Sequence, residues 1–420
     1  MSSLPEDIRI TDLAEPELSS WQKQILEVAS KLSVKFDADV ILETAREKTG
    51  LSDFGAEDFR ERMGVWLQSL EEDSNLSAVG RLGCYSDIVR YASNRLLLED
   101  LIRKNPEILE VEIRQPIIIV GLPRSGTTHL LNLISADSRL RSLPYWESLE
   151  PVPLPGDVPG SDGVDPRLAR CRANFERTDG VLPHLRAMHH MTPEHVHEEI
   201  ELQAIDFSSY VLEWIADVPR SRDYYLEHDQ TDSYAYMKKA LKALQWQRGP
   251  ARWILKSPQH LEQLVPLARN FPDATFAVTV RDPVSVIAST VTMCAYGSRL
   301  RCNEVRMDEI VEYWSDRIET LLRRCVRDRE VLPESQSIDI RFPEFMADDI
   351  AMVKRIYELA GLEMTEGARG QLASYMEANP RGKYGRVRYD LMADFGVDPK
   401  ELRKRFSFYF DRFNVVAEGE

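Results

Sequence analysis

The chain has 420 residues, 43% hydrophobic and 29% charged, with a formal net charge of −16. That length suits two or three structural units of roughly 150 residues, and the acidity excludes a non-specific nucleic-acid binder, which needs a basic surface to neutralise phosphates. Five scattered cysteines without C-x-x-C spacing suggest neither a disulfide framework nor a zinc cage, and no apolar run reaches the roughly 18 residues of a membrane span.

The opening residues "MSSLPEDIRI" carry neither a basic leader nor an apolar core, so the expected location is the cytoplasm, with reduced thiols. From Glu15 to about Asn105, stretches such as "WQKQILEVASKL" and "SDIVRYASNRLLLEDLIRKN" repeat apolar residues with helical period. They predict a helical N-terminal region over residues 1–110. "QPIIIVGLP" then reads as a short buried strand, ended by Gly and Pro and followed at once by the helical pattern "SGTTHLLNLIS". "PVPLPGDVPGSDGVDP" (151–166), dense in Pro, Gly and Asp, marks a surface loop or lid, and the following residues to 248 read as mostly helical. "ARWILKSPQHLEQLVPLARNFPD" and "ATFAVTVRDPVSVIASTVTMCAY" each pass from a strand through a Pro-marked start into a helix. "SQSIDIRFPEF" reads as another strand, before helices near 346–360 and 365–378. Alternating strands and helices predict an α/β unit over 111–420, with a P-loop-like parallel sheet flanked by helices and residues 151–250 as a helical insert.

The chemistry begins in "VGLPRSGTTHL" (120–130). Gly121 and Gly126 bracket four residues as in the phosphate-gripping pattern G-x-x-x-x-G-K-[ST], but Thr127 replaces the lysine and Arg124 sits inside the loop. A strand-loop-helix unit still offers unpaired N–H groups and a helix dipole to an anion. The strand "TFAVTV" is followed first by Arg281 rather than by a magnesium-binding aspartate, so a metal-free, arginine-rich site is expected.

At these residues the sequence resembles the sulfotransferases that use 3'-phosphoadenosine 5'-phosphosulfate (PAPS), in particular a large bacterial branch with an added helical N-terminal region. Pro123, Arg124, Ser125, Gly126, Thr127 and Thr128 match that family's 5'-phosphosulfate loop, P-[KR]-S-G-T-T, with His129 beside them. Arg281 and Ser289, eight residues apart in "VRDPVSVIAS", match its 3'-phosphate element. "NPRGKYGRVRYD" looks like its basic C-terminal segment, with Arg381, Gly382 and Lys383 as the implied contacts. The resemblance covers roughly residues 115–390. It implies an enzyme that moves a sulfuryl group from PAPS to a hydroxyl of a small, partly apolar acceptor, without metal, leaving adenosine 3',5'-bisphosphate.

Sulfuryl transfer, like phosphoryl transfer, calls for in-line positioning and cations around the developing charge. Arg124 and Lys256, the latter ending "RWILK", are the candidates, and the resemblance places a lysine at that strand end in many relatives. The hydroxyl must also lose a proton to a base. Glu147, 23 residues after Arg124, lies near where the tyrosine-sulfating branch of the family places a catalytic Glu. His260 lies four residues after Lys256, whereas cytosolic members place their His two residues after that Lys. Ser257 and Pro258 suit a helix start, which puts His260 in a first turn whose dipole favours a neutral imidazole.

"HHMTPEHVHEEIE" (189–201) gathers His189, His190, His195, His197, Glu198 and Glu199. It lacks H-E-x-x-H spacing, and Thr192–Pro193 reads as a helix start, so a helix lining the acceptor pocket is expected rather than a metal centre. Two alternatives stand beside the sulfotransferase reading. A P-loop kinase or NTPase predicts magnesium dependence and the conventional lysine. A non-catalytic nucleotide-binding scaffold predicts ligand binding without transfer. A homodimer is compatible with the composition.

Overall fold

A computed structural model describes residues 7–178 and 180–419. A two-residue strand, β1 (Asp7–Ile8), precedes four helices, α1 (Ser20–Ser30), α2 (Ala38–Thr49), α3 (Phe59–Glu72) and α4 (Ala78–Lys104). Their starts follow capping rules: Ser19, Asp37 and Ser77 each accept a hydrogen bond from an amide of the first turn. Then come β2 (Ile117–Val120), α5 (Thr127–Ser135), β3 (Leu140–Arg141), β4 (Leu143–Pro144), β5 (Val196–His197), β6 (Arg252–Lys256), β7 (Thr275–Val280), β8 (Ser337–Arg341) and β9 (Arg386–Val387).

Five strands form the central sheet in the order β3-β6-β2-β7-β8, and every pairing is parallel. Crossovers between parallel strands place helices on both faces, which the sequence records in β2 as a run apolar on every residue. Ile117, Ile119, Ile254, Ala277 and Ile340 face one core, against α5 and the helices Asp349–Leu359 and Glu366–Ala378. Their alternates Ile118, Val120, Leu255, Phe276 and Val278 face the other, which continues without a break into Ile41, Trp66, Leu97 and the helix Thr231–Arg248. The N-terminal helices therefore share the main core with the sheet. Among the described residues no helix is long and apolar enough to cross a membrane.

β1 pairs in parallel with β9, Asp7 against Arg386 and Ile8 against Val387, outside the main sheet. β4 and β5 form an antiparallel pair. This pairing corrects the expected helix start at Thr192–Pro193: Tyr145 and Trp146 donate their amides to the carbonyls of His195 and Pro193, so the histidine-rich stretch is a turn and a strand. The following helix spans only Ile200–Ala204.

Candidate active site

The site lies at the carboxyl ends of β2, β6 and β7, where open parallel sheets bind ligands. β2 delivers the loop 121–126 into α5. Gly121 is required by a close approach, since a Cβ there would lie 1.8 Å from Thr279 Oγ1. Gly126, with φ +88°, and Arg124, with φ +63°, turn the chain through the left-handed region that favours glycine. Ser125 faces inward, hydrogen-bonded to Thr279 at 2.7 Å. α5 begins at Thr127 with no side-chain cap, so its first amides point out of the loop without a side-chain partner.

These amides border a cavity of about 720 Å³. Pro123, Arg124, Gly126, Thr127, Thr128 and His129 line one side, and Lys256, Arg281, Arg381 and Gly382 add to it from other elements. Arg124 and Arg281, from the tips of adjacent strands, thus share one cavity. They are joined in a network: Arg124 Nε donates to Ser289 Oγ at 2.8 Å, and Arg281 Nη1 donates to the Arg124 carbonyl at 2.6 Å. Asp282 caps the helix Pro283–Arg301 by accepting from Val284 N, so the strand tip, the cap and Ser289 follow in one register. The Arg281 guanidinium lies 3.9 Å from the Phe342 ring centroid and holds the Glu418 carboxylate at 2.8 and 2.7 Å.

Lys256 is 4% exposed at the end of β6. Its ammonium donates to Glu198 at 2.9 Å and stands 3.5 Å from Thr128 Oγ1. Arg381 clasps Asp349 with one nitrogen at 2.8 Å from both oxygens, and Asp349 also meets His129 Nε2 at 3.0 Å. Burial lowers the His129 pKa despite that carboxylate.

Two expected residues stand elsewhere. Glu147 is 2% exposed but does not line the cavity; Arg141 at 3.3 Å and Arg248 at 2.8 Å hold its carboxylate. His260 is 0% exposed in a 3-10 turn, Pro258–Glu262, and both ring nitrogens are engaged, Nδ1 with Tyr234 Oη and Nε2 with Glu199 Oε1, each at 2.9 Å. Neither lines the cavity. Lys383 also lies outside the cavity lining, bonded to the Ala378 carbonyl at 2.9 Å.

The far wall is apolar, with Leu182, Leu185, Ile200, Val211, Trp214 and Met293. A polar cluster breaks it: Arg90 donates to Asp87 and Glu201, each at 3.0 Å, and Tyr91 donates to Glu201 at 3.0 Å. His189 and His197 line the same side. Burial lowers the His189 pKa to about 3, helped by nearby His195, Arg124 and Lys256, and lowers that of His197 well below its usual value. Among the described residues no group of His, Cys, Asp or Glu gathers to hold a metal ion. Arg90, Glu201, Phe342 and Glu418 had escaped the sequence. Phe342 alone carried a signal, since it follows β8 as Arg281 follows β7.

A sequence model described as the sulfotransferase family matches residues 116–366. Two curated relatives, the omega-hydroxy-beta-dihydromenaquinone-9 sulfotransferases Stf3 of Mycobacterium bovis and Mycobacterium tuberculosis, are each 24% identical over 283 residues. The match takes in 62% of this chain and 66% of theirs, just under two thirds of their length. Solved structures share the fold. Sulfotransferase STF1 of Mycobacterium tuberculosis, at 25% identity and TM-score 0.76, covers 89% of this chain and 98% of its own. Sulfotransferase STF9 of Mycobacterium avium, at 24% identity and TM-score 0.82, covers 93% and 100%.

Proposed function

The chain belongs to the sulfotransferase family, and from that premise we propose that it moves a sulfuryl group from PAPS to a hydroxyl on a small, partly apolar acceptor. One observation carries the reading: Arg124 and Arg281, from neighbouring strand tips, border a single cavity. A donor with two separated anionic ends needs two such seats.

The residues suit that donor. The uncapped start of α5 offers amides and two threonine hydroxyls to the 5' end. Arg281, Ser289 and the segment at Arg381 and Gly382 suit the 3'-phosphate, and the Glu418 carboxylate on Arg281 acts as a stand-in anion there. When bound, PAPS supplies a sulfuryl group already attached to a phosphate leaving group. The protein contributes position and charge: Lys256, held at 3.5 Å from Thr128, opposes negative charge growing on the leaving oxygen. Its low exposure strengthens that effect, since charge acts more strongly away from water.

The acceptor side is mostly apolar with one polar cluster at Arg90 and Glu201, which suits an alcohol whose bulk is hydrophobic. The curated relatives bear the name of an omega-hydroxy compound, an acceptor of the same chemical kind. Family membership sets aside the kinase and scaffold alternatives, and Thr127 in the lysine position agrees.

The test is incubation with radiolabelled-sulfur PAPS and a panel of steroid, phenol, lipid and sugar alcohols in the presence of a chelator. Label should pass to an alcohol. Retention of all label on the donor, with every acceptor class present, would defeat the reading.

A further inference from the structure

With Glu147 and His260 outside the cavity, the proton of the acceptor hydroxyl needs another destination. The cavity wall narrows the choice. Tyr145 and Tyr210 have pKa values raised by burial and are donors rather than bases. Asp87 and Glu201 are bound to Arg90 in the polar cluster, and among the described residues neither meets Lys256 or the start of α5. His129 is engaged by Asp349 beside Arg381, among the donor-binding residues. His189 and His197 are buried near Lys256, which disfavours the imidazolium each would become.

Glu198 is left, and its position is specific. Its carboxylate lies 2.9 Å from the Lys256 ammonium, which in turn faces Thr128 at the start of α5. Its neighbour Glu199 turns the other way, fully buried, and accepts from the Lys256 amide and meets His260, each at 2.9 Å. Glu199 therefore pins the segment to the end of β6, while Glu198 reaches the cavity. Tyr210, another cavity residue, has a buried hydroxyl whose proton finds no acceptor among the described residues, so it can donate to the oxygen of an acceptor.

We propose that Glu198 is the general base, taking the acceptor's hydroxyl proton while the Tyr210 hydroxyl orients the acceptor oxygen. The inference rests on the sulfotransferase reading. As the acceptor oxygen bonds to sulfur, its proton passes to Glu198. The bond between sulfur and the bridging phosphate oxygen breaks, and that oxygen departs with the electron pair, opposed by Lys256. Glu198 and Lys256 thus handle the two charges of the step from one hydrogen-bonded pair.

The test compares wild type with E198Q and E198D, using the panel alcohol that wild type sulfates fastest from labelled PAPS. E198Q should lose about 100-fold or more in kcat, the usual contribution of a positioned base, and E198D should recover part of it. Calorimetric Kd for adenosine 3',5'-bisphosphate should stay within about twofold, which also verifies folding. A merely structural role would leave the pH profile of the residual activity unchanged, whereas loss of a base removes its acid limb. The groups that share this wall with Glu198, namely Lys256, Tyr210, His189 and His197, stay in place, so a surviving acid limb would belong to one of them and defeat the proposal. So would E198Q activity within threefold of wild type. If wild type labels no alcohol, the sulfotransferase reading itself has failed, and this inference with it.

Discussion

Glu418 grips Arg281 through both carboxylate oxygens, at 2.8 and 2.7 Å, in the seat proposed for a phosphate. The Glu418 amide donates to Asp282 at 2.9 Å, and Arg403 reaches both Asp282 and the Glu418 carbonyl, so the acidic segment is laid against the strand tip. Carboxylate and phosphate then compete for one guanidinium. Glu418→Gln removes the competing charge and should tighten adenosine 3',5'-bisphosphate binding about two- to fivefold, because a partly exposed pair is worth up to about 1 kcal/mol. Titration calorimetry reads this directly; weaker binding by E418Q would mean that the carboxylate supports the seat instead of occupying it.

Arg281→Lys keeps the charge but loses the planar fork and its stacking on Phe342. Charge-assisted hydrogen bonds contribute about 1.5–3 kcal/mol, so the donor KM should rise about tenfold or more. At saturating donor, kcat should stay within about threefold, since Arg281 serves the end remote from the transfer. Initial-rate kinetics in both substrates separate the two effects.

Arg317 is 0% exposed and holds Glu213 at 2.7 Å and both oxygens of Glu262 at 2.6 Å. This triad ties the helix Met307–Asp328 to the turn that follows β6. Arg317→Met leaves two carboxylates buried without their counter-charge and should cost about 3–5 kcal/mol of stability. Urea unfolding should show the midpoint fall, and R317M combined with E213Q and E262Q should recover a large part of the loss.

Acid should weaken the fold early. Burial lowers the pKa of His189 to about 3 and that of His195 to about 4, against about 6.5 for a free imidazole. Between these values the unfolded chain binds protons that the folded chain refuses, so stability falls as pH drops below about 6.5. Each histidine adds a slope of up to about 1.4 kcal/mol per pH unit. His189→Asn should flatten the dependence measured by urea unfolding between about pH 6.5 and 4; an unchanged slope would show that His189 titrates freely in the folded protein.

Local patterns carried the side of the cavity proposed for the donor. The strand 117–120, its loop and α5 are contiguous, and the Arg281 strand tip with its Asp282 cap is equally local, so the elements were legible along the chain while the roles of their residues were implied by the family resemblance. The acceptor side was not legible in the same way. Glu147 has a suggestive separation from Arg124, yet Arg141 and Arg248 hold its buried carboxylate, and the Arg248 contact depends on long-range packing. The Glu198 to Lys256 contact joins residues 58 positions apart, beside a strand pairing that helix-start rules misread. Thr192–Pro193 has the right residues for a helix, but the amides of Tyr145 and Trp146 claim the carbonyls of His195 and Pro193.

The pairing of β1 with β9 bears on biosynthesis. Residues 7–8 are made long before 386–387, and they wait unpartnered until those residues leave the ribosome. The neighbouring Arg381 and Gly382 reach their places in the cavity only with that late ribbon. The nascent chain should therefore gain its helical core long before the cavity proposed for the nucleotide is complete.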